Sequence, residues 1–315
     1  MPSRREFVRR SAEVSGAFAG LGAVGVTAAC ASGGAASGSA GGAMGARGAS
    51  PSSVSHPSNP NSAIKQSVCR WCFNDMSVDE LAANAKRIGL KSVELLGPAD
   101  FPTIEKHGLI VAMVSQAGNG GIPRGWNRVD NHSWLIPAYQ ERIDVVAKAK
   151  YPNVICFSGN RAGLGDDEGL ENCATGLKQI MPAAEKAGVT VCMELLNSKV
   201  NHADYQCDHT AWGVKLVEKV GSERFKLLYD IYHMQIMEGD VIRTIRDHHR
   251  AIGHYHTAGV PGRHEIDESQ ELFYPAIMKA IVATGFTGYV AQEFVPAKKE
   301  TGMASLEDAY KRCAV

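Results

Sequence analysis

From residue 64 onward the chain alternates between two periods of hydrophobicity. Short runs at 67–73, 92–96, 110–115, 153–158, 190–196, 225–232, 252–257 and 288–295 have the length and the Val, Ile, Leu, Tyr and Phe content of buried strands. Between them, apolar residues recur every three or four positions at 78–88, 137–149, 171–187, 209–220, 241–249 and 272–284, the stripe of an amphipathic helix. The approach to the third strand, around 102–107, carries the shortest helical pattern. Gly89, Gly188 and Gly285 each follow a helical segment just ahead of a strand, where a left-handed residue ends a helix at little steric cost. Eight strand-then-helix repeats in one direction predict an α/β fold, a closed (β/α)8 TIM barrel. An open doubly wound sheet would want a Gly-rich phosphate loop after its first strand, and Asn74-Asp75-Met76-Ser77 is not one.

Ahead of this body the pattern disappears. Ser3-Arg4-Arg5-Glu6-Phe7-Val8-Arg9 resembles a twin-arginine export signal, and a mildly apolar, glycine-rich stretch follows over 17–29. Val26-Thr27-Ala28-Ala29-Cys30 has the form of a lipoprotein cleavage box, with Thr27 where Leu is usual; a lipid anchor on Cys30 and ordinary cleavage nearby are the two expectations. Residues 31–63 are almost entirely Gly, Ala, Ser, Pro and Asn, too poor in apolar side chains to bury a core, and read as a disordered tether. The expected organisation is a signal peptide over 1–30, a linker over 31–63 and a barrel over 64–315, with the protein exported to the periplasm or held at a membrane as a lipoprotein.

Charge and cysteine content remove several alternatives. With 33 basic and 33 acidic residues the chain has no electrostatic case for a nucleic-acid partner. No apolar run in the body reaches the roughly 18 residues that span a bilayer. Eight cysteines would suggest disulfides in an exported chain, but the twin-arginine route carries proteins folded in the reducing cytoplasm. Cys156 and Cys192 fall inside strands, and Cys69 and Cys72 lack the second pair that a zinc site needs. Both fall in the first strand run, where residues three apart point to opposite faces, so the spacing does not favour chelation. The barrel cysteines are therefore read as structural.

In such a barrel, function gathers at the C-terminal ends of the strands. The fifth to eighth runs end in Met193-Glu194-Leu195-Leu196-Asn197, Tyr229-Asp230-Ile231-Tyr232-His233, His254-Tyr255-His256-Thr257 and Ala291-Gln292-Glu293-Phe294. A carboxylate inside an apolar run is costly to bury unless something compensates it. Three of them with a histidine, on four consecutive strands, share an economical cause in one divalent metal ion held by Glu194, Asp230, His256 and Glu293. Oxygen and nitrogen donors without thiolate favour Mg2+, Mn2+ or Co2+, and Zn2+ also fits.

The stretch from Val191 to Val295 resembles the xylose-isomerase-like barrel superfamily and, within it, the hydroxypyruvate isomerase family. Tyr229-Asp230-Ile231-Tyr232-His233-Met234-Gln235 and Gly259-Val260-Pro261-Gly262-Arg263-His264-Glu265 carry the likeness most specifically. Val93-Glu94-Leu95-Leu96 and Asn131-His132 extend it over the rest of the barrel. The resemblance implies that Glu194, Asp230, His256 and Glu293 are metal ligands and that Glu194 and Glu293 also move protons. His233 and Arg263 would contact substrate oxygens, with Asn197 and Glu94 added as substrate contacts. The implied reaction is isomerisation of hydroxypyruvate to tartronate semialdehyde, or of a similar small α-hydroxy carbonyl, by proton transfer through an enediolate. Arg263 would suit a substrate carboxylate. Two departures stand out. His256 occupies a position where the simplest hydroxypyruvate isomerases can carry Gln, which is closer to ketose 3-epimerases. Val200 stands six residues after Glu194, where those epimerases place a further Glu.

Three other readings follow from the same residues. One is a ketose 3-epimerase, or a lyase or epimerase acting on oxidised sugars outside the cytoplasm. Another is a non-catalytic sugar-binding barrel, which would be expected to have lost one of the paired glutamates. The third is the superfamily's abasic-DNA endonuclease branch. That branch needs histidines for a trinuclear site which Gly97-Pro98 and Ser115-Gln116 do not offer. Trp71, Trp126 and Trp134 are candidates to line a sugar pocket, and a homodimer is expected because many such barrels pair.

Overall fold

The computed structural model describes residues 62–315; the export signal, the cleavage box at Cys30 and nearly all of the tether lie outside the described residues. Seven parallel strands form one sheet in the order β2-β1-β7-β6-β5-β4-β3. They are β1 Lys65–Cys69, β2 Ser92–Glu94, β3 Asn153–Cys156, β4 Thr190–Glu194, β5 Phe225–Asp230, β6 Ile252–Thr257 and β7 Tyr289–Gln292. The open edges, β2 and β3, are joined by residues 110–114, which bridge Ser92 to Ile110, Leu96 to Val114 and Val114 to Val154 in parallel. The expected third strand is thus in its place and closes the barrel, but as isolated bridges. Side chains take over part of its ladder: Ser92 Oγ accepts from Ala112 N–H at 2.8 Å, and Asn153 Nδ2 donates to Ala112 C=O at 2.8 Å.

The helices are α1 Val78–Ile88, α2 Phe101–Lys106, α3 Val129–Lys148, α4 Asp166–Ala187, α5 Thr210–Val220, α6 Ile231–Met237, α7 Val241–His248, α8 Tyr274–Ala283 and α9 Gly302–Cys313. Ser77 caps α1 in a reciprocal box with Glu80. Gly89 and Gly188 are the left-handed C-caps that the sequence predicts. Helices α3 and α4 begin earlier than their apolar stripes indicate, and each carries an internal proline, Pro137 and Pro182. No helix of the described residues is long and apolar enough to cross a membrane.

Two strand ends differ from the hydrophobic pattern, and both shape the site. The first run leaves the strand at Cys69 and turns through a 3-10 segment, Arg70–Phe73, so Cys69 and Cys72 do not share a strand. The sixth run stops at Asp230, because the Asp230 carboxylate accepts from the backbone N–H of His233 at 3.1 Å and caps α6. Ile231 and Tyr232 are therefore helical. All seven cysteines of the described residues are free and buried, in keeping with a structural role.

Within the barrel the interior is divided. Met113, Ile155, Cys192 and Leu228 form a buried apolar layer on one side, with Leu95 and Phe157 packed on it. The other side is polar: Ser67, Glu94, His254 and His256 are fully buried.

Candidate metal centre and active site

Strand register brings the four predicted ligands together. Asp230 pairs with His256 across β5 and β6, and His256 pairs with Ala291 across β6 and β7. Glu293 N–H then donates to Thr257 C=O at 2.8 Å, one residue past β7. One ligand atom each from Glu194, Asp230, His256 and Glu293 falls within 4.8 Å of all the others. All four residues are buried. His256 Nδ1 lies 2.6 Å from Glu293 Oε2 and 3.3 Å from Glu194 Oε1. These contacts are not aligned as hydrogen bonds, so His256 Nδ1 and Glu194 Oε1 are buried atoms without a hydrogen-bond partner. Leaving such groups unpaired costs about 1–3 kcal/mol each, more where charge is involved. Three carboxylates and an imidazole aimed at one point, two of their atoms unpartnered, fit a divalent cation. The oxygen-rich donor set suits Mg2+, Mn2+ or Co2+, and admits Zn2+.

Arg263 partly compensates the carboxylates. Its Nη2 donates to Asp230 Oδ2 at 3.1 Å and to Glu293 Oε2 at 2.6 Å, and its Nη1 reaches His233 Nε2 at 2.5 Å. The guanidinium lies 5.2 Å from the Trp71 ring centre and 5.1 Å from that of Tyr232. Arg263 adopts a φ of 60°. For a side chain with a Cβ this left-handed conformation costs roughly 1–2 kcal/mol, a strain of the kind that clusters at functional sites.

The electrostatics separate the carboxylates. Burial raises Glu194, and the charge of Glu293 raises it further. Burial likewise raises Asp230, and although Arg263 opposes it, Glu293 and Glu194 reinforce it, to about 8. Burial acts on Glu293 too, but His256, Arg263 and the Trp71 Nε1–H donated to its Oε1 at 2.7 Å hold it well below the ordinary carboxylate range. Burial alone would lower His256, but contacts with Cys69 and Glu293 push it well above the usual imidazole range. An enzyme's acid and base are commonly found as pairs whose environments drive their pKa values apart; here burial and the Glu293 charge push Glu194 up, while His256 and Arg263 pull Glu293 down.

A pH dependence follows. Asp230 has an ordinary value of 3.8 and is raised to about 8 in the fold. Across that window the metal-free native state holds a proton that the unfolded chain has released, so its stability falls as pH rises. Raised Glu194 and raised His256 have the same sign. A bound cation would replace those protons, and the rise in Tm on adding Mn2+ should therefore widen by several degrees from pH 5.5 to pH 8 in differential scanning calorimetry. A metal-induced rise that is constant or shrinks over that range would contradict the assignment.

Above the cluster opens a cavity of about 540 Å³. Glu194, Glu293, His233 and Arg263 border its charged side, and Leu95, Ile122, Ile155 and Phe157 its apolar side. Of the three tryptophans considered, Trp71 borders this cavity, whereas Trp126 is fully buried in the core and Trp134 packs outside it. His202, which the strand-end reading passes over because it lies in a loop, also lines the cavity.

Two expected substrate contacts are placed elsewhere. Glu94 is fully buried and does not border the cavity; its Oε1 accepts from His254 Nε2 at 2.8 Å and from His256 Nε2 at 2.9 Å. Asn197 is likewise buried; its N–H and Nδ2 face His233 Nδ1 at 3.1 and 2.7 Å, and its Oδ1 accepts from the N–H groups of Val200 and Asn201. Both act on site residues from behind, because each strand end sits at its own depth in the staggered barrel. His254, which the sequence reading also passes over, has a visible signal: it stands two residues before His256, and strand alternation points both inward.

The family model described as "Xylose isomerase-like TIM barrel" matches residues 77–309. The 2-oxo-tetronate isomerase of Cupriavidus necator is 30% identical over 237 residues, 71% of this chain and 89% of that protein. The hydroxypyruvate isomerase of Escherichia coli K12 is 27% identical over 225 residues, 67% of this chain and 85% of that protein. Among solved structures, one titled AP endonuclease, family 2, from Brucella melitensis superposes with a TM-score of 0.69 at 26% identity, covering 76% of this chain and 97% of that one. The 3-keto-D-glucoside 4-epimerase of E. coli superposes at 0.64 with 18% identity, covering 78% and 98%, a likeness of fold.

Proposed function

Because this chain belongs to the xylose isomerase-like TIM barrel family, and its curated relatives are isomerases of small oxo acids, we propose that it is an isomerase that shifts the carbonyl of a small 2-oxo acid by proton transfer between adjacent carbons. The observation that carries this is the pair Glu194 and Glu293. They border one cavity, their oxygens lie 3.3 and 2.6 Å from His256 Nδ1, and their pKa values are driven in opposite directions.

Ionised Glu293 is placed to take the proton from the hydroxyl-bearing carbon, and the electron pair of that C–H bond forms the carbon–carbon double bond of an enediolate. Glu194, after taking up a proton from solvent, is placed to deliver it to the former carbonyl carbon, while a proton passes between the two oxygens. Hydroxypyruvate would become tartronate semialdehyde in this way, with no net gain or loss of atoms. Glu194, Asp230, His256 and Glu293 would hold the divalent cation, which when bound polarises neighbouring oxygens as a Lewis acid. Arg263 supplies the cationic fork on the cavity wall for a substrate carboxylate. Trp71 and Tyr232 keep its plane in position from their two rings.

A second reading, epimerisation of a larger oxidised sugar, is favoured by the size of the cavity. Even if each heavy atom took the ~30 Å³ share of a liquid water, the seven heavy atoms of hydroxypyruvate would occupy roughly 210 Å³, well under half of the 540 Å³ available. Against it, Val200, where the epimerases place a Glu, is an exposed apolar residue.

The two readings separate on a substrate panel. With Mn2+ bound, hydroxypyruvate and 2-oxo-tetronate should be turned over with kcat/KM at least roughly 10²-fold above dihydroxyacetone, which lacks the carboxylate that Arg263 would pair with. Faster turnover of neutral ketoses or 3-keto sugars would favour the epimerase reading and remove Arg263 as a carboxylate partner.

A further inference from the structure

A second buried cluster touches the same histidine from the side away from the cavity. Glu94 ends β2 opposite Cys69 in register, and His254 and His256 point inward from β6. His254 Nε2 and His256 Nε2 approach one oxygen, Glu94 Oε1, at 2.8 and 2.9 Å. Cys69 Sγ lies 3.8 Å from His256 Nε2 and 3.9 Å from Glu94 Oε1. None of the four is exposed. Neither Glu94 nor His254 borders the cavity, so neither can meet a substrate held there.

An ionised carboxylate accepts hydrogen bonds and cannot donate them. Two ring nitrogens on one such oxygen must therefore each carry their proton. For His256 the proton is then on Nε2, which leaves Nδ1, the atom facing Glu194 and Glu293, as the free lone pair of the neutral ring. We infer that Glu94, steadied by His254, is a positioning residue that fixes the tautomer and ring orientation of His256 and so sets how tightly the four-residue cluster holds its cation. The inference rests on the metal-centre reading of that cluster. His254 contributes by occupying the same oxygen, which holds the carboxylate against rotation. Carboxylates behind a metal-binding histidine both fix its tautomer and raise its basicity.

The substitution that isolates this role is Glu94→Gln. Glutamine keeps the shape but presents an amide that accepts on one side and donates on the other. Its carbonyl can still accept from both histidines at the Oε1 position, but the negative charge that raises the basicity of the His256 ring is lost. In the full-chain protein, Mn2+ titrated by calorimetry or electron paramagnetic resonance should bind Glu94→Gln about 10- to 100-fold more weakly than wild type, and His254→Phe should weaken it in the same direction by less. Nitrogen-15 spectra of the wild-type protein loaded with Mg2+ should show His256 protonated at Nε2 and bare at Nδ1. Mn2+ affinity of Glu94→Gln within threefold of wild type would overturn the inference. So would a wild-type His256 protonated at Nδ1, a result that needs no variant to fold. A wild-type protein that binds no divalent cation would instead remove the metal centre itself and the inference with it.

Discussion

Glu293→Gln is expected to reduce the rate of carbon–hydrogen exchange by roughly 10²- to 10⁴-fold, the contribution of a positioned general base, with a smaller change in KM. Glu293 is the carboxylate best suited to accept a proton, because His256, Arg263 and Trp71 keep it ionised against its own burial. Glutamine can still accept from Trp71 Nε1 and fill the same volume, so the fold should persist while the base is lost. The measurement is single-turnover exchange of substrate protons in D2O at saturating metal. A variant whose exchange rate stays within tenfold of wild type would take the base role away from Glu293.

The second large effect is expected at Arg263. Its guanidinium is bonded to Asp230 and Glu293, touches His233, and lies 5.2 and 5.1 Å from the ring centres of Trp71 and Tyr232. Removing one partner of a buried ionic group while leaving the other behind costs about 3–5 kcal/mol. Arg263→Ala should therefore lower the Tm of the metal-free protein by on the order of 10 °C for a domain of this size. Because a cation would neutralise the same carboxylates, metal should recover part of that loss. Arg263→Lys keeps a charge but cannot reproduce the planar fork, and kcat/KM on 2-oxo acids should fall by about 10²-fold while stability is less affected. Unchanged Tm for Arg263→Ala without metal would mean that the carboxylates are compensated in some other way.

How far the sequence foretells this molecule depends on which physical property each inference uses. Hydrophobic period places seven strands and most helices, and the polar residues late in the runs at Glu194, Asp230, His256 and Glu293 are the ones that meet. An acid or imidazole inside an apolar run has few physical excuses, and this makes such residues legible. Depth is not legible in the same way. Glu94 and Asn197 satisfy the same strand-end test, yet the barrel's stagger places them behind His256 and His233 rather than in the cavity. Side chains that replace backbone partners also escape the pattern. Asp230 stops its own strand by capping α6, and Ser92 and Asn153 take the ladder bonds of Ala112, so the third strand survives only as bridges. Trp71 illustrates a further limit: composition marks it as a candidate pocket residue, and only the turn after β1 brings its Nε1 to Glu293.

The proposed reaction moves a proton between adjacent carbons of a small oxo acid, through Glu194 and Glu293, at a cation-dependent centre. Its most direct test is nuclear magnetic resonance of hydroxypyruvate and 2-oxo-tetronate in D2O with the Mn2+-treated, then Mg2+-exchanged, protein beside a chelated control. Deuterium is expected at the carbon next to the carbonyl, with incorporation lost on chelation and restored by adding the cation back. Isomerisation without solvent deuterium in the product, or exchange unaffected by chelation, would contradict it.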